Sequence, residues 1–346
     1  MWRSTDNAHD SLHDAHDAHD AHNAAFVATG PGAHDGAHDG AHASRRRPAG
    51  SRDVPAAAEV LGGVLGLTAT DCTLPSGGAA PVFAVGDAAL ALCEPGDPFV
   101  DGADKTGVHH IGLSVGDIDA TAKRLTDTGI GAGPPEPGLG GLRRIGLDAA
   151  ATVGVRTYLV EPLEIARSAS SRIERIDHLG VASSDNRQAI SIFTDTIGLP
   201  IESQQTDMEV ETVIESFTSD KYGVVYHSRP PRPVGGLRVA FLTAGDCELE
   251  FLQNFDPNHG AELSHGASGT TRQDQGAITK YIESRGAGLH HVALKSPDIN
   301  ATLAALEDAG CVMIDTVGRP GSRRAQIGFI HPKSMGGLLF HVVQRD

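Results

Sequence analysis

Residues 107–130, GVHHIGLSVGDIDATAKRLTDTGI, and residues 288–311, GLHHVALKSPDINATLAALEDAGC, are two versions of one pattern, with His110 matching His291. Each reads as an apolar strand and then a helix. The helix opens after Asp117 or Asp298, whose short side chain can cap the first turn, and it closes at Gly129 or Gly310. Two further pairs extend the match. VFAVGDAALALCEPGDP (82–98) parallels AFLTAGDCELEFLQNFDP (240–257), each a hairpin turning on Gly-Asp. AAAEVLGGVLGL (56–67) parallels AISIFTDTIGL (189–199), both helices ending on Gly-Leu.

Working outward, the chain divides into two copies of one domain, 55–165 and 172–346, joined near the polar segment IARSASSRIER. Each copy reads as two βαβββ modules, an α+β arrangement. The first copy lacks a clean opening strand. Ahead of it, residues 1–54 carry the repeats HDSLHDAHDAHDAHNAAF and GAHDGAHDGAH, too poor in apolar groups to offset ordering entropy. A disordered tail is expected. Its imidazoles and carboxylates could buffer metal, but a solvated extension is the simpler account.

Composition narrows the function. The 346 residues include 28 Lys and Arg against 44 Asp and Glu, a net charge of −16 that disfavours nucleic acid and anionic membrane surfaces. The four cysteines, Cys72, Cys93, Cys247 and Cys311, form no CxxC pair and read as reduced thiols. No apolar run reaches the length of a membrane span, and the N-terminus lacks the apolar run of a signal peptide. A cytoplasmic enzyme or binding protein for a small molecule is the expectation.

Four polar residues interrupt apolar strands of the second copy: His178 in RIDHLGVA, Glu250 in DCELEFLQ, His291 in GLHHVAL and His341 in LLFHVVQ. Side chains alternate along a strand, so His341 shares one face with Leu339 and Val343 while Phe340 and Val342 take the other. Both faces are apolar, and a buried imidazole there needs partners. A single such histidine is more often a hydrogen-bonded core residue. Three imidazoles and a carboxylate on four strands could share a divalent ion.

These residues resemble the vicinal-oxygen-chelate superfamily, and residues 173–346 are similar to its methylmalonyl-CoA epimerases. The resemblance rests on IDHLGVA, on GLHHVALKSPDINATLAALEDAGC and on HPKSMGGLL (331–339). It implies two tandem domains, each with paired βαβββ modules forming a curled mixed sheet around a cavity. It further implies a divalent metal ion (Co, Mn, Zn, Ni or Fe) on His178, Glu250, His291 and His341. The implied reaction is proton transfer α to a carbonyl of an acyl-CoA thioester, in a protein that forms homo-oligomers.

One position departs from the epimerases, which carry Glu where this chain has His341. Candidate bases are then Glu250 and His227, with Glu209, Glu211 and Glu215 in the long segment TDMEVETVIESFTSDKYGVVYHSRPPRPVGG (206–236). Lys333 and His331 could meet an anionic substrate group, though an exposed turn with Gly336 and Gly337 is the simpler account. In the first copy Ala91 stands at the place of Glu250 and Tyr158 near that of His341. Only His110 persists, so that copy reads as metal-free. Two alternatives stay open: a two-domain non-haem iron dioxygenase, and a metal-free small-molecule binding or resistance protein.

Overall fold

The computed structural model describes residues 23–29, 56–102, 105–255 and 276–346. The first of its two large sheets contains β1 (Asn23–Thr29), β2 (Ala69–Thr73), β3 (Ala79–Val85), β4 (Ala88–Cys93), β5 (Gly107–Ser114), β6 (Glu136–Pro137), β7 (Arg143–Gly146) and β8 (Thr157–Val160). The second half contributes β9 (Arg175–Ala182), β10 (Ile201–Glu211), a separate hairpin of β11 (Ile214–Ser219) and β12 (Gly223–Ser228), then β13 (Arg232–Ala244) and β14 (Cys247–Phe255). It ends with β15 (Gly288–Lys295), β16 (Arg319–Pro320), β17 (Gln326–Ile330) and β18 (Phe340–Gln344).

Strand orders are β2-β3-β4-β1-β5-β8-β7-β6 and β10-β13-β14-β9-β15-β18-β17-β16, the same topology twice. Both sheets are mixed: β9 runs parallel to β14 and antiparallel to β15, which in turn runs parallel to β18.

The helices follow from the capping signals. Asp117 Oδ1 accepts from Ala120 N at 2.9 Å, and Asp298 Oδ1 accepts from Ala301 N at 3.0 Å. These bonds start the helices Ile118–Asp127 and Ile299–Asp308. Gly129 and Gly310 then adopt φ of 96° and 87°, backbone that a side chain disfavours, and end them. Among the described residues no helix is long and apolar enough to cross a membrane.

The Gly-Asp turns of the two halves meet. Asp87 N donates to Asp246 Oδ1 at 2.9 Å, and any Cβ on Gly86 would collide with Asp246 and Arg175. One apolar core runs through both halves, from Leu61, Phe83 and Leu113 to Phe193, Phe251 and Phe340.

The tail expectation needs correction at one place. Asn23–Thr29 forms β1, parallel to β4 and antiparallel to β5, and so supplies the opening strand that residues from 55 onward lack. The physical reason is edge satisfaction. Without β1, facing edges of β4 and β5 would carry unpaired N–H and C=O groups inside the sheet. The remainder of the tail, 1–22 and 30–55, lies outside the described residues.

Because Val27 pairs with Ala91 on one side and His110 on the other, Val27→Pro removes a donor from an interior strand. The expected result is a loss of stability on the order of 2–3 kcal/mol. Thermal or urea unfolding of the full chain measures it.

Candidate metal centre

His178, Glu250, His291 and His341 come from β9, β14, β15 and β18, the four central strands of the second sheet. Strand register arranges them in two rungs. On one rung, Glu250 and His291 both lie opposite Gly180. On the next, His178 and His341 both lie opposite Ala293. Small residues therefore separate the large ones. A Cβ on Gly180 would strike the His291 ring, so the imidazole lies over backbone that only glycine leaves open.

All four groups are buried, each at 5% exposure or less. His178 Nε2 is 3.1 Å from His341 Nε2 and 3.3 Å from Glu250 Oε2, and His291 Nε2 is 3.4 Å from the same oxygen. Ligand atoms of the three histidines lie within 4.8 Å of one another, and among the described residues His291 Nε2 is buried without a hydrogen-bond partner. Bonds of about 2.1 Å to a shared ion put neighbouring ligand atoms roughly 3.0–3.4 Å apart. The side chains present therefore fit a divalent ion.

A further carboxylate orients the cluster. Asp177, with no exposed surface, binds His178 Nδ1 through Oδ2 at 3.0 Å. That bond directs Nε2 inward, the arrangement by which an outer carboxylate fixes a ligating imidazole. Asp177 Oδ1 accepts from Arg175 at 3.0 Å and from Arg345 at 3.1 Å, so its charge is compensated in turn.

The electrostatics without an ion are those of a buried ion pair. Burial by itself lowers the His178 imidazole, but Glu250 and Asp177 outweigh it and raise it to about 9. Burial pushes the Glu250 carboxyl up, and His178 and His291 overcome this to hold it well below the usual range. Burial keeps His291 and His341 low and neutral. A proton on His178 thus stands in for the cation the cluster would hold.

The cluster opens into a cavity of about 240 Å³, walled by apolar groups that include Leu237, Phe241, Ile327 and Phe329. The first half is built differently at the matching positions. Register puts Ala91 opposite Val27 as Glu250 is opposite Gly180, and Tyr158 opposite Gly112 as His341 is opposite Ala293. Here the Arg144 guanidinium lies 4.2 Å over Phe99 and 4.4 Å over Tyr158, with His110 packed on Tyr158 at 4.7 Å. A side-chain cation fills that cluster.

The other candidates fall elsewhere. His227 lies exposed on β12 opposite Glu215, which pairs with Arg229, and neither lines the cavity. Glu209 and Glu211 belong to β10, and their side chains lie outside the described residues. His331 and Lys333 are exposed in the turn before β18, where His331 Nδ1 accepts from Lys333 N at 3.1 Å; they too lie away from the cavity. Asp177, Gly180 and Ala293 were not singled out from the sequence. Asp177 had a usable signal, an acid directly before a strand histidine, whereas the two small residues matter only once strands are paired.

Residues 177–329 match the model of the glyoxalase/bleomycin resistance protein/dioxygenase superfamily. An uncharacterized protein, YqjC, of Bacillus subtilis (strain 168) is 24% identical over 50% of this chain and 93% of its own length. The mitochondrial methylmalonyl-CoA epimerase of Mus musculus is 22% identical over 50% of this chain and 74% of its own length. A variant of 4-hydroxymandelate synthase from Streptomyces coelicolor shares the fold of both halves. Its TM-score is 0.52 at 14% identity, over 84% of this chain and 88% of that one.

Two outcomes follow from the geometry. Gly180→Ala displaces the His291 ring and should weaken binding of Mn²⁺ or Co²⁺ by about 10–100-fold. His110→Ala should leave metal content unchanged; both are read by metal analysis after dialysis. Because His178 is protonated up to about pH 9, an ion must displace that proton. Affinity should therefore rise with pH until about 9 and then level off. Calorimetric titration near neutral pH, in buffers of differing ionisation enthalpy, should show the released proton.

Proposed function

We propose that this chain, whose C-terminal half belongs to the glyoxalase/bleomycin resistance/dioxygenase superfamily, is a metal-dependent isomerase that moves a proton α to a carbonyl. An epimerase of acyl-CoA thioesters is its leading form. The observation that carries the reading is the convergence of three imidazoles and one carboxylate at the base of an apolar cavity. A divalent ion (Co, Mn, Zn, Ni or Fe) held by His178, Glu250, His291 and His341 would polarise the carbonyl and stabilise enolate charge.

The chain's own groups divide the remaining work. Glu250, swinging off the ion, is the candidate to take the α-proton, since the other carboxylate lining the cavity, Asp177, is held by His178, Arg175 and Arg345. His227 stands outside the cavity and takes no part in this reading. The apolar walls keep water from the enolate. In this scheme 172–346 is the catalytic unit and 55–165, completed by β1, is a metal-free companion. His331 and Lys333 are kept as exposed contacts for the phosphates of CoA. The four free cysteines, three of them buried, suit a reducing cytoplasm, and assembly as a homo-oligomer belongs to the same proposal.

A second reading has its own observation. The first half holds Arg144 in place of ligands while the second carries the cluster, so an oxygen-using iron enzyme on two such domains is the alternative, against which three imidazoles with one carboxylate depart from a triad of two His and one carboxylate. A metal-free binding protein is disfavoured by the four preserved ligand-type groups.

The test is deuterium incorporation at the α-carbon of methylmalonyl-CoA by protein loaded with Co²⁺ or Mn²⁺. Glu250→Gln should slow it by about 100-fold or more, whereas a His341→Glu variant that raised exchange would show that the native chemistry lies elsewhere. Oxygen uptake by the Fe²⁺-loaded protein, without exchange, would replace this reading with the second.

A further inference from the structure

The cavity carries a charged group that proton transfer does not use. Arg319, at the start of β16, lines it. Its Nε is held by Asp315 Oδ1 at 3.0 Å, while Asp315 Oδ2 accepts from Phe329 N at 3.0 Å. The guanidinium lies over the Phe329 ring, 5.5 Å from its centroid, and that ring packs 4.6 Å from His341 and 5.9 Å from His291. The cation is therefore one aromatic ring removed from the metal cluster, in an orientation set by Asp315.

Its Nη1 is buried and has no hydrogen-bond partner among the described residues. The other guanidinium groups lining the cavity have their Nη ends held by acids, although Arg323 Nε is, like Arg319 Nη1, buried without a partner among the described residues. Arg323 forms a fork with Glu248 at 2.9 and 2.6 Å and also holds Glu202 at 2.6 Å; Arg345 binds Asp177 at 3.1 Å and Glu248 at 3.0 Å. An unanswered donor is costly, and the Arg319 side chain, 28% exposed with its Nε tied to Asp315, keeps its Nη end for an oxyanion. Across the strands from Arg319 stand the apolar Ile327 and then Val343, and Phe329 and Leu339 also line the cavity.

We infer that Arg319 receives a carboxylate at the end of the substrate remote from the metal. The substrate class is then a molecule with a metal-chelating carbonyl end, an apolar body and a distal carboxylate. This rests on the metal-centre part of the proposed function and not on proton transfer. A phosphate of CoA offers similar oxyanion chemistry, so the experiment separates the two sources.

The probes are 2-oxoadipate and 2-oxohexanoate, which share the chelating end and differ in a terminal carboxylate or methyl. Binding to the full chain loaded with Mn²⁺ is followed by calorimetry and water-proton relaxation, after metal uptake has been verified. Failure of metal uptake would count against the metal centre, whereas the probe comparison bears on Arg319 alone. The expected result is that 2-oxoadipate binds at least about tenfold more tightly. Arg319→Met should abolish that preference while leaving 2-oxohexanoate binding unchanged, which also reports an intact site, and Arg319→Lys should retain part of it. Equal affinities in the unaltered chain, or a preference that survives Arg319→Met, overturn the inference. So does free CoA losing affinity in Arg319→Met with the oxo-acids undiscriminated, because the oxyanion would then be a phosphate.

Discussion

The antiparallel seam between β9 and β15 is the constraint on which the second half depends. It joins the module β10-β13-β14-β9 to the module β15-β18-β17-β16, and a shift of one residue along it would turn every side chain to the opposite face. The register observed puts Gly180 beside His291 and Ala293 beside His178. Each large ligand-type group thus gains the space above a small one on the neighbouring strand. The cavity, the cluster and the orientation of Asp177 all follow from that pairing.

The same seam in the first half, β1 against β5, supports a different centre. The cluster in the second half gathers Glu250 with imidazoles that need either a proton or an ion among them. The first half has no carboxylate at the corresponding position and carries its own cation, Arg144, stacked between Phe99 and Tyr158. A guanidinium on aromatic faces is satisfied by ring quadrupoles as well as by hydrogen bonds, and Arg144 also reaches the Phe99 carbonyl at 3.1 Å. The two halves share a topology and differ in what stands at the matching place, Arg144 on aromatic faces in the first and four ligand-type side chains in the second.

Much of the cluster was legible in the sequence because strand periodicity exposes misfits. His178, Glu250, His291 and His341 each interrupt an otherwise apolar strand, and a polar group in such a place must find a partner. His227 stood out for a similar local reason, an imidazole following the apolar run YGVVY, yet that run is an exposed hairpin strand where the rule has no force. Arg319 gave no signal at all. Its neighbours in sequence are ordinary turn residues, and only the return of β17 brings Phe329 beneath it.

The sequence by itself determined the repeated modules, the capped helices, the Gly-Asp turns and the four candidate ligand residues, because each is written in local pattern: period two, an Asp before a helix, a Gly at positive φ. Tertiary structure alone decided which residues meet. It drew Asn23–Thr29 out of a low-complexity tail to satisfy two strand edges at once, a demand created by β4 and β5 far along the chain. It put Gly180 and Ala293 between the ligand-type groups, filled the first half's cluster with Arg144, and brought Arg319 to the lining of an apolar cavity. Those outcomes depend on strand pairing across long separations, where the free energy lies in satisfied edges and in space left by small side chains rather than in any single segment.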